Sequence, residues 1–152
     1  MEIIWLTLCY DRTTVDPMRN GNVLVVEDDD TIRRLLVEFL RVHESVDVDG
    51  ARDGVEALHC IATTPYAVVI LDVLMPKMSG IDVLDSLEAL TSDPSVKSLD
   101  DPPAVLVITS AASSVLPDSA IFQRSPGMVR RVFRKPIEVE ALAKSVEMYL
   151  RA

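Results

Sequence analysis

Three runs constrain this chain more than anything else in it. NVLVV (22–26), AVVILDV (67–73) and AVLVIT (104–109) are short and almost wholly apolar, with a high share of β-branched residues. A strand with one wet face alternates polar and apolar residues, and these runs do not. Each therefore reads as a strand covered on both faces. A weaker run, SVDV (45–48), and a more polar one, MVRRVF (128–133), read as two further strands.

Helical spacing fills the gaps. Ile32, Leu35, Leu36, Phe39 and Leu40 form one helical stripe, with Asp30, or else Asp29, placed to cap it. Val55, Leu58, Ile61 and Ala62 form a second stripe opening at Asp53-Gly54. Ile81, Leu84, Leu87 and Leu90 give a third, starting near Ser79-Gly80. Pro136 precedes the last, with Val139, Leu142, Ala143, Val146, Tyr149 and Leu150 on one side. Residues 91–103 read as a loop. In 110–128 the spacing is weak, and Pro117, Pro126 and Gly127 interrupt it. Buried strands alternating with helices predict an α/β, doubly wound parallel sheet of five strands with helices on both faces. In such a sheet the site lies outside the carboxyl ends of the strands.

Composition removes several classes of function. The 152 residues suit one domain, and 49% apolar content is enough for a core. Fifteen Lys and Arg against 24 Asp and Glu leave a net charge of −9. That balance opposes binding to nucleic acid or to an anionic membrane. No apolar run approaches the roughly 18 residues of a membrane helix, and WLTLCY lacks the basic flank of a signal peptide. Cys9 and Cys60 have no metal-ligand spacing and read as free thiols in a reducing cytoplasm; His43 and His59 are isolated. Residues 1–21 differ from the rest and are expected to be an N-terminal extension, with translation starting at Met18 or residues 1–17 loosely attached. The domain is then 22–152.

The strand ends make a constellation. The first strand ends at Glu27-Asp28, the third at Asp72, the fourth at Thr109-Ser110 and the fifth at Arg134-Lys135. Singly, each has an ordinary reading: a helix cap, a turn residue, a solvated charge. Together they place three carboxylates, a hydroxyl pair and an ammonium on one sheet edge. Three adjacent carboxylates repel unless a cation joins them. Oxygen-only ligands favour a hard ion such as Mg2+. With one divalent ion and the Lys135 ammonium, the pocket comes to about zero charge and could accept a phosphoryl group.

On these residues the chain resembles the receiver domain of two-component response regulators. The likeness covers about 22–151 and rests on VLVVEDDDTIRRLL, ARDGVEAL, VVILDVLMPKMSGIDVL, VLVITSAA and FRKPI, in that order. LDVLMPKMSG is its most specific block. The resemblance implies a flavodoxin-like sheet of order 2-1-3-4-5. It implies that Asp72 accepts a phosphoryl group from a sensor histidine kinase or histidine phosphotransfer protein. Asp28 and Asp72 would ligate Mg2+ directly, Glu27 through water, and Leu74 through its backbone carbonyl. Thr109 and Lys135 would bind the phosphoryl oxygens, with a cis Lys135–Pro136 bond. The expected protein is a cytoplasmic signalling molecule, not an enzyme, passing its state to an unidentified downstream protein.

Several positions depart from the family. Val132 stands where an aromatic usually precedes the lysine by three residues, with Phe133 beside it. The stretches Gly80–Thr109 and Thr109–Lys135 are long, so the fourth helix should be short or irregular. Leu74 and Ala111 occupy positions that often orient the water of dephosphorylation, and neither side chain can hydrogen-bond. Slow self-dephosphorylation is expected. Because the chain ends at Ala152, a stand-alone receiver is the leading expectation. A receiver used only as a phosphorylation-independent binding module is the alternative. A phosphohydrolase would carry DxDxT after the first strand, and a flavin site would need a phosphate loop where four acids stand.

Overall fold

The structure, a computed structural model, describes residues 21–44, 46–95, 101–110 and 116–150. Strands and helices alternate: β1 (Asn22–Val26), α1 (Asp30–Glu44), β2 (Asp47–Ala51), α2 (Gly54–Thr63), β3 (Val68–Asp72), α3 (Gly80–Thr91), β4 (Ala104–Ser110), α4 (Asp118–Arg124), β5 (Val129–Lys135) and α5 (Val139–Leu150). The sheet runs β2-β1-β3-β4-β5 and every pair is parallel. This is the expected doubly wound fold.

Period-two alternation splits the core into two layers. Leu24, Val26, Val69, Leu71, Val105 and Val107 meet Ala57, Ile61, Val83, Leu84, Leu87 and Ile121 of α2, α3 and α4. Val23, Val25, Val68, Ile70, Leu106 and Ile108 meet Leu36, Leu40, Leu142 and Val146 of α1 and α5. β3 is buried throughout, as its composition demands.

Some expectations shift. β2 occupies 47–51 rather than 45–48, and Ser45 lies outside the described residues. Its sequence, DVDGA, has little strand propensity; pairing with β1 from Asn22↔Asp47 to Val26↔Ala51 sets it. β5 runs two residues further than its apolar run, to Lys135. Asp29, not Asp30, caps α1: its Oδ1 accepts from the N–H groups of Thr31 and Ile32, both at 2.9 Å. Asp30 is the first helical residue and pairs with Arg33. Leu35 and Val55, placed on the buried stripes by spacing, are 63% and 68% exposed. The buried arcs centre instead on Leu36, Val37 and Leu40, and on Ala57, Cys60 and Ile61. α4 is indeed short, at seven residues. Cys60 is buried in the core; residues 1–20, which hold Cys9, lie outside the described residues.

Candidate functional site

Short connections after β1 and β3 build the site at the carboxyl edge. After β1, Glu27 still donates its N–H to Ala51 O at 3.1 Å, so it enters the loop in strand register. Arg33 reaches back from α1 and donates to the Glu27 carbonyl at 2.7 Å. This tie was not foreseen, because an arginine on a polar helix face reads as a solvated charge.

After β3 the chain turns tightly. Leu74 N–H donates to Asp72 Oδ1 at 3.3 Å, and Gly80 N–H to Val73 O at 3.0 Å. α3 thus begins directly against the Asp72 backbone. A Cβ on Gly80 would lie 2.3 Å from the Asp72 carbonyl oxygen, so only glycine fits. Ser79 starts the helix with a capping box: Asp82 N–H donates to Ser79 Oγ at 3.2 Å, and Ser79 N–H to Asp82 Oδ2 at 2.9 Å. Within the turn, Lys77 takes φ 67°, an uncommon conformation for a residue with a side chain.

The carboxylates meet at these ends. Glu27 and Asp72 are buried, Asp28 is exposed, and one oxygen from each lies within 4.8 Å of the others. Lys135, at the end of β5, donates from Nζ to Glu27 Oε2 at 3.3 Å and to Asp72 Oδ2 at 3.4 Å. The Lys135–Pro136 bond is cis. Thr109 is fully buried at the end of β4, paired in register with Arg134. Leu74 lies beside Asp72 with its side chain outward, 56% exposed. Ala111 is outside the described residues.

The electrostatics follow from burial. Desolvation, reinforced by the Asp72 charge, pushes the Glu27 carboxyl up to about 7. Burial also raises Asp72, against the opposing pull of Lys135. Partial burial works against the Lys135 ammonium, and the carboxylates of Asp72 and Glu27 outweigh it and hold the lysine above its ordinary value. One ammonium therefore does not neutralise the pocket. Its donors are oxygens alone, which suits a hard divalent ion. These residues fit Mg2+.

The sequence profile of the response regulator receiver domain matches residues 23–147. The chain belongs to the response regulator receiver domain family of two-component systems. Among curated proteins it is 44% identical over 68 residues to protein-glutamate methylesterase/protein-glutamine glutaminase 4 of Myxococcus xanthus, covering 44% of this chain and 18% of that one. It is 38% identical over 68 residues to the transcriptional regulatory protein SrrA of Staphylococcus aureus, covering 45% of this chain and 28% of that one. The chain thus spans less than a third of the length of either relative. Among solved structures, the receiver domain of Francisella response regulator 1452 superposes with TM-score 0.68 at 24% identity, over 86% of this chain and 97% of that one. A receiver domain protein from Clostridium thermocellum gives TM-score 0.65 at 25% identity, over 86% and 94%. Receiver domains bind Mg2+ at an acidic cluster and take phosphoryl groups from histidine kinases or phosphotransfer proteins. Among the described residues, no helix is long and apolar enough to cross a membrane.

Proposed function

We propose that this chain is a cytoplasmic phospho-acceptor that takes a phosphoryl group onto Asp72 from a histidine kinase or phosphotransfer protein. It then signals through protein contacts rather than through an enzymatic activity or nucleic-acid binding. The observation that carries this is the meeting of two buried carboxylates and one ammonium, with Lys135 Nζ at 3.3 and 3.4 Å from Glu27 and Asp72. We place the receiver domain at 22–152 and residues 1–21 outside it.

The roles divide by position. An Asp72 carboxylate oxygen attacks phosphorus; the O–P bond forms as the bond to the donor imidazole nitrogen breaks. Asp28 and Asp72, with the Leu74 carbonyl, would hold Mg2+, and Glu27 would reach it through water. When bound, the ion supplies positive charge to the phosphoryl oxygens. Lys135 supplies a second positive group, and the Thr109 hydroxyl would donate to a phosphoryl oxygen. The new group adds about −1.5 to −2 of charge, and Thr109 and Lys135 move toward it. The exposed, apolar Leu74 side chain cannot orient a hydrolytic water, so the phosphorylated form is long-lived.

The test is intact mass after incubation with a small phosphodonor. One phosphate should be taken up with Mg2+ and none with chelator or in Asp72→Ala. A wild type that takes up no phosphate would leave only the binding-module reading. Equal uptake by Asp72→Ala would move the acceptor elsewhere.

A further inference from the structure

The aromatic expected near the end of β5 is absent, and the strand shows why its neighbour does not replace it. Val105 pairs with Val129 but Leu106 with Arg131, so Arg130 is an extra, bulged residue. Alternation then resumes. Val132 packs on the α2–α3–α4 layer, whereas Phe133 packs on the α1–α5 layer, with the Arg131 guanidinium carbon 5.3 Å from its ring centroid. Phe133 is on the wrong face to act beneath α4.

Arg134 returns to the α4 face. It is the register partner of Thr109 and the chain neighbour of Lys135. Its Nη2 pairs with the carboxylate of Asp118, the first residue of α4. Its Nη1 donates to the Ser110 carbonyl at 3.5 Å. One guanidinium therefore links the end of β4 to the start of α4, beside the lysine that holds Asp72. The far end of α4 is fixed differently. Arg124 pairs with Asp85 at 2.9 Å, and the fully buried Ser125 donates from Oγ to Glu88 Oε2 at 2.5 Å, both on α3.

We propose that Arg134 is a positioning residue that clamps the first turn of α4 in the unphosphorylated state, and that phosphorylation of Asp72 releases this clamp. The inference rests on the phospho-acceptor reading above. Movement of Thr109 toward the phosphoryl group carries the Ser110 carbonyl with it and pulls that acceptor away from Arg134. The pair with Asp118 is half-exposed, so it is weak enough to be released. α4 then swings about its α3-anchored end. An ion pair thereby does the work of the missing aromatic.

The experiment is hydrogen exchange of residues 118–124, with and without a small phosphodonor and Mg2+, together with the rate of phosphate uptake. In the unphosphorylated protein, Arg134→Gln should speed α4 exchange and phosphate uptake by about two- to fivefold, the range open to an exposed ion pair. Asp118→Asn should do the same, and the double variant no more than either single one. After phosphorylation, exchange in wild type and variants should coincide. Unchanged exchange in both unphosphorylated single variants, or fully additive effects in the double variant, would overturn the clamp. Failure of the wild type to take up phosphate would overturn the phospho-acceptor reading instead, and would leave the clamp without its releasing event.

Discussion

The β1–β3 half and the β4–α4–β5 half of this molecule are built by different means. In the first, charged groups are buried: Glu27 and Asp72 sit under the loops, and Gly80 brings α3 hard against Asp72. In the second, exposed or half-exposed pairs hold a short helix: Arg134–Asp118 and Arg124–Asp85. Buried charges are costly to disturb, whereas exposed pairs contribute little each. The phospho-acceptor and the acid beside it therefore sit on the stiff half, Thr109 and Lys135 reach toward them from the ends of β4 and β5, and the response falls to the yielding α4.

The contrast breaks most sharply at Lys135. Lys135→Ala leaves two buried carboxylates without their ammonium. Phosphate uptake from a small donor should slow by about a hundredfold, the scale for removing one preorganised charge-stabilising group. A loss below threefold would show that the lysine does not act on the phosphoryl group. Next is Gly80→Ala, whose methyl would meet the Asp72 carbonyl at 2.3 Å. Urea unfolding should show a loss of about 3 kcal/mol, typical of a forced shift in a packed site.

pH separates the halves without mutation. The Glu27 carboxyl titrates near 7 in the folded, metal-free protein against 4.5 ordinarily. The fold therefore favours its protonated form. That stabilisation is complete below about 4.5 and is lost as pH rises through 7. In chelator, Tm should fall between pH 5 and 8, and Mg2+ should offset the fall at the upper end. Glu27→Gln should flatten the profile; an unchanged slope would place its cause elsewhere. The smallest effect is expected on the yielding half. Ser125→Ala should cost about 1 kcal/mol, one hydrogen bond, and leave Mg2+ affinity unaltered.

The same division governs how much the sequence reveals. β1, β3 and β4 were legible because burial on both faces leaves no choice but apolar runs, and their ends carried Glu27, Asp28, Asp72 and Thr109 in plain view. β2 was misplaced because neighbour pairing, not its own DVDGA composition, makes it a strand. Leu35 and Val55 were misassigned because spacing gives a stripe's period but not its centre. Arg33 and Arg134 were not singled out. Each acts through a backbone carbonyl brought near only by folding, and a lone arginine carries no mark of that. Gly80 was read as the start of α3, but not as the only residue that fits there.

The central claim is that Asp72 itself carries the phosphoryl group. Borohydride reduces an aspartyl phosphate to homoserine, which peptide mass spectrometry locates. After incubation with a small phosphodonor and Mg2+, the account predicts homoserine at position 72 and nowhere else, and none when chelator replaces the ion. Conversion at another carboxylate, or phosphate uptake with no conversion at 72, would contradict it.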